Sequence, residues 1–248
     1  MSDETPVELP RVLEQLWGIE RRLRPGPKPA FHITDIGRAA IKLADTGGLA
    51  AVSMSKVAAE LGFTTMSLYR YVDSKDDLYV VMLDHAFGVP PSLDQPSWRE
   101  RITVWAEAFR DAMVRHPWIL QVPVFEPPLS PNQLVWMEHG LRAFEDTTLP
   151  PPERLSSMLL VNIYVRGTVQ ITADMQTRPA EVAREADRLY ARRLELLADP
   201  DRFPAINASL IGPDAHQDDG DPSEFDFGLD TVLDGIQSRI DRRDQGAS

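Results

Sequence analysis

The sequence contains no cysteine, which excludes disulfides, thiolate metal sites, iron–sulfur clusters and cysteine nucleophiles. Long hydrophobic runs are missing too, since apolar stretches such as MLLV at 158–161 are far too short to cross a bilayer. The first residues, MSDETPVELPRV, lack the basic start and the apolar run of a secretory signal. We therefore expect a cytoplasmic protein that makes no contact with a membrane.

Catalytic and metal-binding patterns are also absent. The sequence has no glycine-rich phosphate loop, no serine in a nucleophile elbow and no pair of histidines with the spacing of metal ligands. Its five histidines are His32, His85, His116, His139 and His216. Isolated histidines are usually ordinary core or surface residues. We predict that the chain is not an enzyme and that it holds no metal and no cofactor.

The chain does contain enough apolar material for a core, and its charge is unevenly distributed. Its 248 residues are 43% hydrophobic, which suits one large or two small domains. A net charge of −12 argues at first against a nucleic-acid partner, because phosphates need local positive potential. Between residues 21 and 76, however, nine Lys or Arg oppose five Asp or Glu. That segment therefore carries +4 and the remainder −16.

Two segments read as arms or loops. Residues 1–20 are acidic with one apolar patch, and RRLRPGPKPA at 21–30 contains three prolines that prevent a helix. We interpret residues 1–32 as a mobile or docked N-terminal extension, in which the basic stretch is either an arm that reaches DNA or a solvated linker. The polar stretch SLIGPDAHQDDGDPSE at 209–224 is expected to be a disordered or surface loop.

Helical spacing of apolar residues begins at Ile33, with Thr34 as the expected cap and DTGG at 45–48 as the stop. A second helix is expected to follow the cap Ser53 and to end at Gly62, which is placed for the left-handed conformation.

A short third helix is predicted from Thr65 to about Val72, with Thr64 as its cap. SKDD at 74–77 has the form of a capping box before a fourth helix that runs to about Phe87.

Proline-rich GVPPSLDQP at 88–96 is the clearest linker. Beyond it, helical periodicity returns without any strand-like alternation, in the segments 98–115, 132–147, 152–175, 179–198 and 226–241. The predicted fold class is all-α. We call residues 33–87 the head, a helix-turn-helix domain, and residues 97–242 the body, a larger helical domain.

The stretch ELGFTT joins two short helices in the manner of a helix-turn-helix, whose second helix lies in the major groove. Ala58 and Ala59 allow close helix packing, and Phe63 and Leu68 are expected to anchor the second helix to the core. Hydroxyls can bond to base edges and a methionine can meet a thymine methyl, so the exposed first turn is the expected specificity surface. The predicted DNA contacts are Ser53, Ser55, Lys56, Thr64, Thr65, Met66, Ser67, Tyr69, Arg70, Tyr71 and Lys75.

Residues 33–87, with the helix VAAELG and the junction LYRYVDSKDDL, resemble the N-terminal DNA-binding domain of the TetR family of repressors. The resemblance implies an all-α homodimer that consists of a three-helix head, a linking fourth helix and a C-terminal domain for a small molecule and for dimerisation. By position, it assigns base contacts to Thr65, Met66, Ser67 and Tyr71, and phosphate contacts to Ser53, Tyr69 and Lys75. Met66 departs from the family pattern, since the tetracycline repressor has a proline there, so the operator sequence does not transfer.

Aromatic and methionine stripes at helical spacing in the body are usually core, but a helical bundle with bulky aromatics can also leave a ligand cavity. Polar side chains at the centre of 152–175 need a partner, which is a ligand, a second subunit or a neighbouring residue. The predicted pocket is Trp105, Phe109, Met113, Trp136, Met137, Phe144, Asn162 and Arg166.

The predicted dimer interface pairs the helix at 152–175 with the last predicted helix, at 226–241. Its predicted residues are Leu160, Tyr164, Phe227, Val232, Leu233, Ile236 and Ile240. Two-fold symmetry then places the two heads about 34 Å apart, which fits a palindromic operator. The sequence therefore predicts a regulator, most simply a repressor, that releases its operator when a small apolar or planar molecule binds. The alternative is a helical scaffold that binds other proteins without specific DNA binding.

Overall fold

The computed structural model describes residues 8–19, 32–123, 127–176, 180–211 and 224–246. Within these ranges the chain forms eleven α-helices and no strand, so the all-α prediction is confirmed. The helices are α1 Arg11–Leu16, α2 Ile33–Gly47, α3 Met54–Glu60, α4 Thr65–Leu68, α5 Lys75–Phe87, α6 Trp98–Arg115, α7 Pro131–Arg142, α8 Pro151–Gln176, α9 Ala180–Leu197, α10 Pro204–Ile206 and α11 Glu224–Gly246. Short 3-10 helices at Leu49–Ala51 and Pro117–Gln121 and a π-helical turn at Asn207–Ile211 connect some of them.

Helix α2 begins two positions earlier than it would with Thr34 as its cap. His32 is the N-cap, and its backbone N–H donates to the Asp35 carboxylate at 2.9 Å. The prediction of Thr34 was wrong because a carboxylate at the third helical position can bond to the N-cap amide, whereas the hydroxyl of Thr34 already lies inside the first turn. The stop is as predicted, since Gly48 follows the helix with φ of +72°.

The helix-turn-helix consists of α3 and α4, and its predicted caps are confirmed. The Ser53 hydroxyl accepts from the Lys56 amide at 3.3 Å, and the Thr64 hydroxyl accepts from the Ser67 amide at 3.3 Å. Gly62 makes the turn between them with φ of +74°, a backbone conformation that costs glycine little. Helix α4 is shorter than predicted because its hydrogen bonds tighten after Leu68, and the Tyr71 amide donates to the Leu68 carbonyl three residues back.

Helix α5 starts with the predicted capping box. The Ser74 hydroxyl accepts from the Asp77 amide at 3.0 Å, and the Asp77 carboxylate accepts from the Ser74 amide at 3.1 Å. The helix then runs for 13 residues to Phe87. It packs against α2 in the head and against α7 in the body, so it belongs to both.

The body is built on the packing of α6, α8 and α11, with α7 against α5 and α8. Its buried centre contains Ile102, Val161, Val165 and Leu233, which are continuous with the hydrophobic core of the head. The helix bounds agree with the predicted periodic segments to within two residues except at two ends. Helix α7 ends at Arg142 before a series of turns, and α11 continues to Gly246, five residues beyond the predicted end. Each of the helices described is too short or too polar to span a bilayer.

The N-terminal extension is docked over part of its length. Helix α1 buries Val12 and Leu13 and packs on α5, and the indole N–H of Trp17 donates to the Leu129 carbonyl at 2.9 Å. The apolar patch that the sequence shows before residue 20 therefore has a packing role. The basic stretch 21–30 and most of the predicted loop at 209–224 lie outside the described residues.

Candidate functional site

The first turn of α4 presents side chains that a partner can reach. Met66 is 74% exposed, while the half-buried Thr65 and Ser67 flank it. The hydroxyls of Thr64 and Ser67 lie 3.0 Å apart, so they form a small polar patch beside the methionine. The turn thus presents one apolar side chain among hydroxyl groups, which is a combination able to contact both a methyl group and polar base edges.

The two residues expected to anchor α4 differ in their placement. Leu68 is fully buried, but Phe63 is 40% exposed, so the prediction for Phe63 was wrong. Val57, Ala58 and Val72 already fill the space around Leu68, and Phe63 lies in the turn, where its amide donates to the Ala58 carbonyl at 2.9 Å.

Of the aromatic residues that follow, Tyr69 is exposed and Tyr71 is half-buried against the core. Arg70 between them is exposed. The structure therefore places Tyr69 and Arg70 on the same outer surface as Met66, whereas Tyr71 presents only part of its ring.

Some of the Lys and Arg side chains of the head form ion pairs with carboxylates, and others do not. Lys42 pairs with Glu60, and Arg38 pairs with Asp35. Within residues 32–87, by contrast, Lys56 and Arg70 form no ion pair. Lys75 lies over the Tyr79 ring with its ammonium 5.4 Å from the ring centroid.

The cations without a carboxylate partner are thus near α4 and the start of α3. Ser55 lies with them, since its hydroxyl is 3.2 Å from that of Ser53 at the N-terminus of α3. Positive charge beside helix N-terminal amides suits phosphate oxygens.

A cavity of about 580 Å³ lies in the body, with walls from α1, α5, α6, α7 and α8. This volume is in the range of pockets that bind small organic molecules. The lining residues that the sequence predicted are Trp105, Phe109, Trp136, Met137, Asn162 and Arg166.

The cavity wall is aromatic and its rings are held in place. Phe109 stacks between Phe87 and Trp105, with centroid distances of 5.0 and 5.1 Å. The indole N–H of Trp105 donates to the Trp136 carbonyl, and that of Trp136 donates to the Gly88 carbonyl, each at 2.9 Å. The polar edges of both indoles are thereby satisfied, and the wall offers flat apolar surface.

Two residues predicted for the pocket are core instead. Met113 and Phe144 are fully buried and do not line the cavity. Phe144 stacks on Trp98, the first residue of α6, with ring centroids 5.5 Å apart. Helical spacing identifies a stripe but does not distinguish which of its members reach a void.

Sequence reasoning missed the contributions of α1 and α5 to the cavity. Val12 and Leu13 come from α1, and Leu83 and Phe87 come from α5. The apolar patch in the acidic N-terminal segment was the available signal for α1. The aromatic residue at the end of α5 was the signal for that helix.

Helix α8 brings two polar side chains to this apolar wall. Asn162 and Arg166 are one turn apart and half-buried, and in the part of the chain described neither has a hydrogen bond or an ion pair. Burial lowers the pKa of the Arg166 guanidinium from its ordinary value, and no carboxylate offsets this effect.

Several polar contacts join the head to the body. The Asp45 carboxylate, at the end of α2, accepts from the Trp118 indole N–H at 2.7 Å and lies 2.7 Å from the ring nitrogen of His116. The buried Asp84 of α5 accepts from the backbone and side-chain amides of Asn132 at the start of α7. The two parts are therefore connected by more than the shared helix α5.

The outer faces of α8 and α11 expose apolar residues that differ in part from the predicted dimer set. Leu160 and Phe227 are exposed as expected, together with Ile163 and Ile171. The structure corrects three members of that set, because Leu233, Ile236 and Ile240 are buried inside the chain and face its own core.

Tyr164 and Val232, the two remaining members of the predicted dimer set, are half-buried. Val232 packs against the core, and the Tyr164 hydroxyl donates to the Phe225 carbonyl at 2.8 Å. Burial raises the pKa of Tyr164. These contacts tie α8 to α11 within one chain.

Comparison of the sequence with known families gives two matches. Residues 36–82 match the description "Bacterial regulatory proteins, tetR family", and residues 90–240 match "Tetracyclin repressor-like, C-terminal domain". The first match covers α2 to α5 and the second covers the body.

Individual relatives extend the match to nearly the whole chain. The HTH-type transcriptional repressor DrrR1 of Streptomyces coeruleorubidus is 33% identical over 245 residues, which is 95% of this chain and 88% of that protein. An HTH-type transcriptional regulator of Saccharopolyspora erythraea is 30% identical over 72% of this chain and 77% of its own length.

Among solved structures, that of the Streptomyces coelicolor TetR family protein ActR in complex with actinorhodin is similar in fold. The TM-score is 0.71, with 23% identity, and the likeness covers 85% of this chain and 97% of ActR.

Proposed function

The chain belongs to the TetR family of bacterial transcriptional regulators, and from this premise we propose that it is a homodimeric repressor that a small molecule releases from its operator. The operator is palindromic, and the releasing molecule is apolar or planar and binds in the cavity of the body. The similarity to a named repressor and the aromatic cavity support this proposal. As a DNA-binding regulator the protein acts in the cytoplasm, and its function requires no catalytic step.

One observation carries the proposal: α5 forms part of the head and part of the cavity wall. Leu78, Val81 and Met82 are fully buried, while Leu83 and Phe87 line the cavity. A methyl group placed on Gly37 of α2 would lie 3.0 Å from Cγ of the His85 ring. The imidazole of His85 therefore lies directly against α2. A ligand that favours a different position of α5 would therefore move the head with it.

Release follows if the ligand binds more tightly to the conformation that fits the operator poorly. By thermodynamic reciprocity, operator DNA then weakens ligand binding by the same factor. The domain division that serves this mechanism is a head at 33–87 and a body at 97–242, with an N-terminal extension at 1–32. ActR in complex with actinorhodin supports the assignment of the body to ligand binding.

The DNA surface consists of Met66, Tyr69 and Arg70 with the hydroxyls of the α4 turn, and Lys56 and Lys75 bind phosphates. The test is selection of bound duplexes from a random DNA pool with the purified full-length protein. We expect a palindromic consensus that relaxes with Thr65→Ala and with Met66→Ala. Thr46→Ala is the matched control, because this exposed threonine bonds to the Lys42 carbonyl at the body end of α2. Absence of any enrichment at low salt would favour the scaffold alternative.

The basic stretch at 21–30 remains a proposed contact to the minor groove or to phosphates. Replacing Arg21, Arg22, Arg24 and Lys28 with Gln leaves α1 in place. If the stretch binds DNA, operator affinity will depend less steeply on salt, because fewer counterions are released. An unchanged slope would identify the stretch as a solvated linker.

A further inference from the structure

A positively charged side chain lines the cavity. Arg166 projects from α8 into a wall formed mainly by aromatic and aliphatic side chains, and it forms no hydrogen bond and no ion pair with the described residues. A guanidinium carries five N–H donors and stays protonated at neutral pH. Removing it partly from water without a compensating acceptor is unfavourable, so the arrangement costs the ligand-free protein stability.

The described carboxylates that border the cavity form no ion pair with the Arg166 guanidinium. Asp76 and Asp77 border the cavity at the start of α5, as does Pro10, the residue before α1. The Asp77 carboxylate accepts the backbone N–H groups of Asp73 and Ser74, at 2.9 and 3.1 Å. Neither Asp76 nor Asp77 forms an ion pair with Arg166.

A second polar group lies next to the guanidinium. Asn162 is four residues before Arg166 on α8, so both side chains lie on one face of the helix. Its amide can donate a hydrogen bond toward the same point in the cavity. Trp105 and Phe109, whose rings are 5.1 Å apart and nearly parallel, line the same cavity.

We propose that Arg166 determines the ligand class of the cavity, and that this class is planar aromatic molecules with an ionised carboxylate or an equivalent anionic oxygen. The inference rests on the proposed function, since it names the molecule that the regulatory cavity takes. The aromatic part of the ligand lies against the indole and phenyl wall. Its anionic oxygens accept the guanidinium N–H groups, in a charge-assisted and geometrically specific contact, and Asn162 adds a further donor.

The test uses a pair of fluorescent probes of the same ring and nearly the same size, the anionic anthracene-2-carboxylate and the neutral anthracene-2-carboxamide, titrated into the full-length protein without DNA. We expect the carboxylate to bind about tenfold to a hundredfold more tightly, as a hydrogen-bonded charge contact provides. Arg166→Gln should abolish this preference, and Arg166→Lys should retain part of it because the charge remains while the fork is lost. Arg193→Gln, an exposed arginine of α9, changes net charge equally and should keep the full preference.

A folding control accompanies the titration. Because Arg166→Gln removes an unpaired charge, its thermal midpoint should equal or exceed that of the wild-type protein. Equal affinity for the two probes, a preference that survives Arg166→Gln, or no binding of either probe would each overturn the proposal.

Operator binding is measured separately by gel shift on the selected duplex. Loss of DNA binding with intact discrimination between the probes would count against the regulator function and not against the ligand class.

Discussion

At the scale of single residues, neighbours in the sequence of α4 have opposite environments. Met66 is largely exposed, and Leu68 two positions later is fully buried. We expect Met66→Ala to leave the free energy of unfolding nearly unchanged and to alter the bases preferred in the operator. Leu68→Ala should instead lower that free energy by about 2–5 kcal/mol, because it leaves a cavity in the core of the head. Denaturant unfolding and selection from a random DNA pool measure the two effects.

The two substitutions control for each other. Met66→Ala removes a large apolar side chain, as Leu68→Ala does, so a general effect of apolar truncation would appear in both. A strongly destabilised Met66→Ala variant would contradict the outward position of this side chain, as would an unchanged operator consensus.

Arg101 is a buried charged residue whose contacts predict the effect of a substitution. Its guanidinium donates to the carbonyls of Ala143 and Gln95, each at 3.2 Å, and to the Asp146 carboxylate at 2.8 Å. Arg101→Met keeps much of the side-chain volume but leaves the two carbonyls without this donor. We expect a loss of about 2–4 kcal/mol in the free energy of unfolding, measured by chemical denaturation.

Asp146→Asn is the matched change on the other side of this contact. The Asp146 side chain is 70% exposed, so this variant should lose less than about 1 kcal/mol. If the two variants were equally destabilised, the main contribution of Arg101 to stability would come from its ion pair with Asp146 and not from its hydrogen bonds to the two carbonyls.

The sequence predicted residue roles well where a local rule decides them. Ser53, Gly62 and Thr64 act over three or four residues, and capping preferences and left-handed glycine follow from backbone geometry alone. Phe63 and Phe144 were misplaced because tertiary packing decides whether an aromatic side chain enters the core, a turn or a cavity. Periodicity along one helix carries no information on what the neighbouring helices bring.

At the scale of elements, α1 is the feature that sequence reasoning left most open. It lies before both regions that match the family descriptions. Its Val12 and Leu13 form part of the cavity wall, and the Arg11 guanidinium donates to the carbonyls of Tyr69 and Arg70 just after α4 and pairs with Asp73. The same short helix therefore contacts both the cavity and the end of α4.

These contacts predict how α1 is held. We expect Arg11→Ala to accelerate amide hydrogen exchange in α1, because the polar anchor to the head is lost while Val12 and Leu13 remain. The free energy of global unfolding should change by less than about 1 kcal/mol, since the Arg11 side chain is about half exposed. Hydrogen exchange with mass spectrometry measures the first effect, and denaturant unfolding measures the second.

Arg38→Ala is the control for this experiment. Its guanidinium also pairs with a nearby carboxylate, that of Asp35, but it makes no contact with α1. Exchange in α1 should therefore be unchanged in this variant. Unaltered exchange in Arg11→Ala as well would show that the apolar contacts alone hold the helix.

The helices themselves were largely predictable, whereas the cavity was not. Helix α6 occupies the predicted segment 98–115, because its apolar spacing and its capping serine both point to the same bounds. The cavity depends on five elements that are distant in sequence, and two of them, α1 and α5, had been assigned to the extension and to the head. Only their packing shows that they share a wall.

At the scale of the whole molecule, charge and symmetry bear on how two heads reach DNA. The segment 21–76 carries +4, while the rest of the chain carries −16. An acidic remainder is repelled by phosphates and the segment 21–76 is attracted, so the molecule approaches DNA with this segment first. Two heads act together only if the bodies associate, and the exposed apolar residues of α8 and α11 provide a surface for this contact.

The exposed apolar residues of α8 and α11 predict that a charge placed among them will prevent dimerisation. Ile163 is 66% exposed near the middle of α8, and Leu160, Ile171 and Phe227 are exposed beside it. In a two-fold interface each substitution appears twice, so Ile163→Glu places two carboxylates in an apolar contact. We expect this variant to sediment as a monomer of 27.8 kDa and to lose most of its operator affinity, because a single head makes half of the contacts.

Val114→Glu supplies the matched control, since Val114 of α6 is 59% exposed and lies outside the α8 and α11 faces. It introduces the same charge at an exposed apolar position, so the dimer and its operator affinity should persist. If Ile163→Glu still sedimented as a dimer, the subunits would associate through another surface. If it became monomeric but bound the full palindrome as tightly as the wild-type protein, the two-headed mode of DNA binding would be wrong.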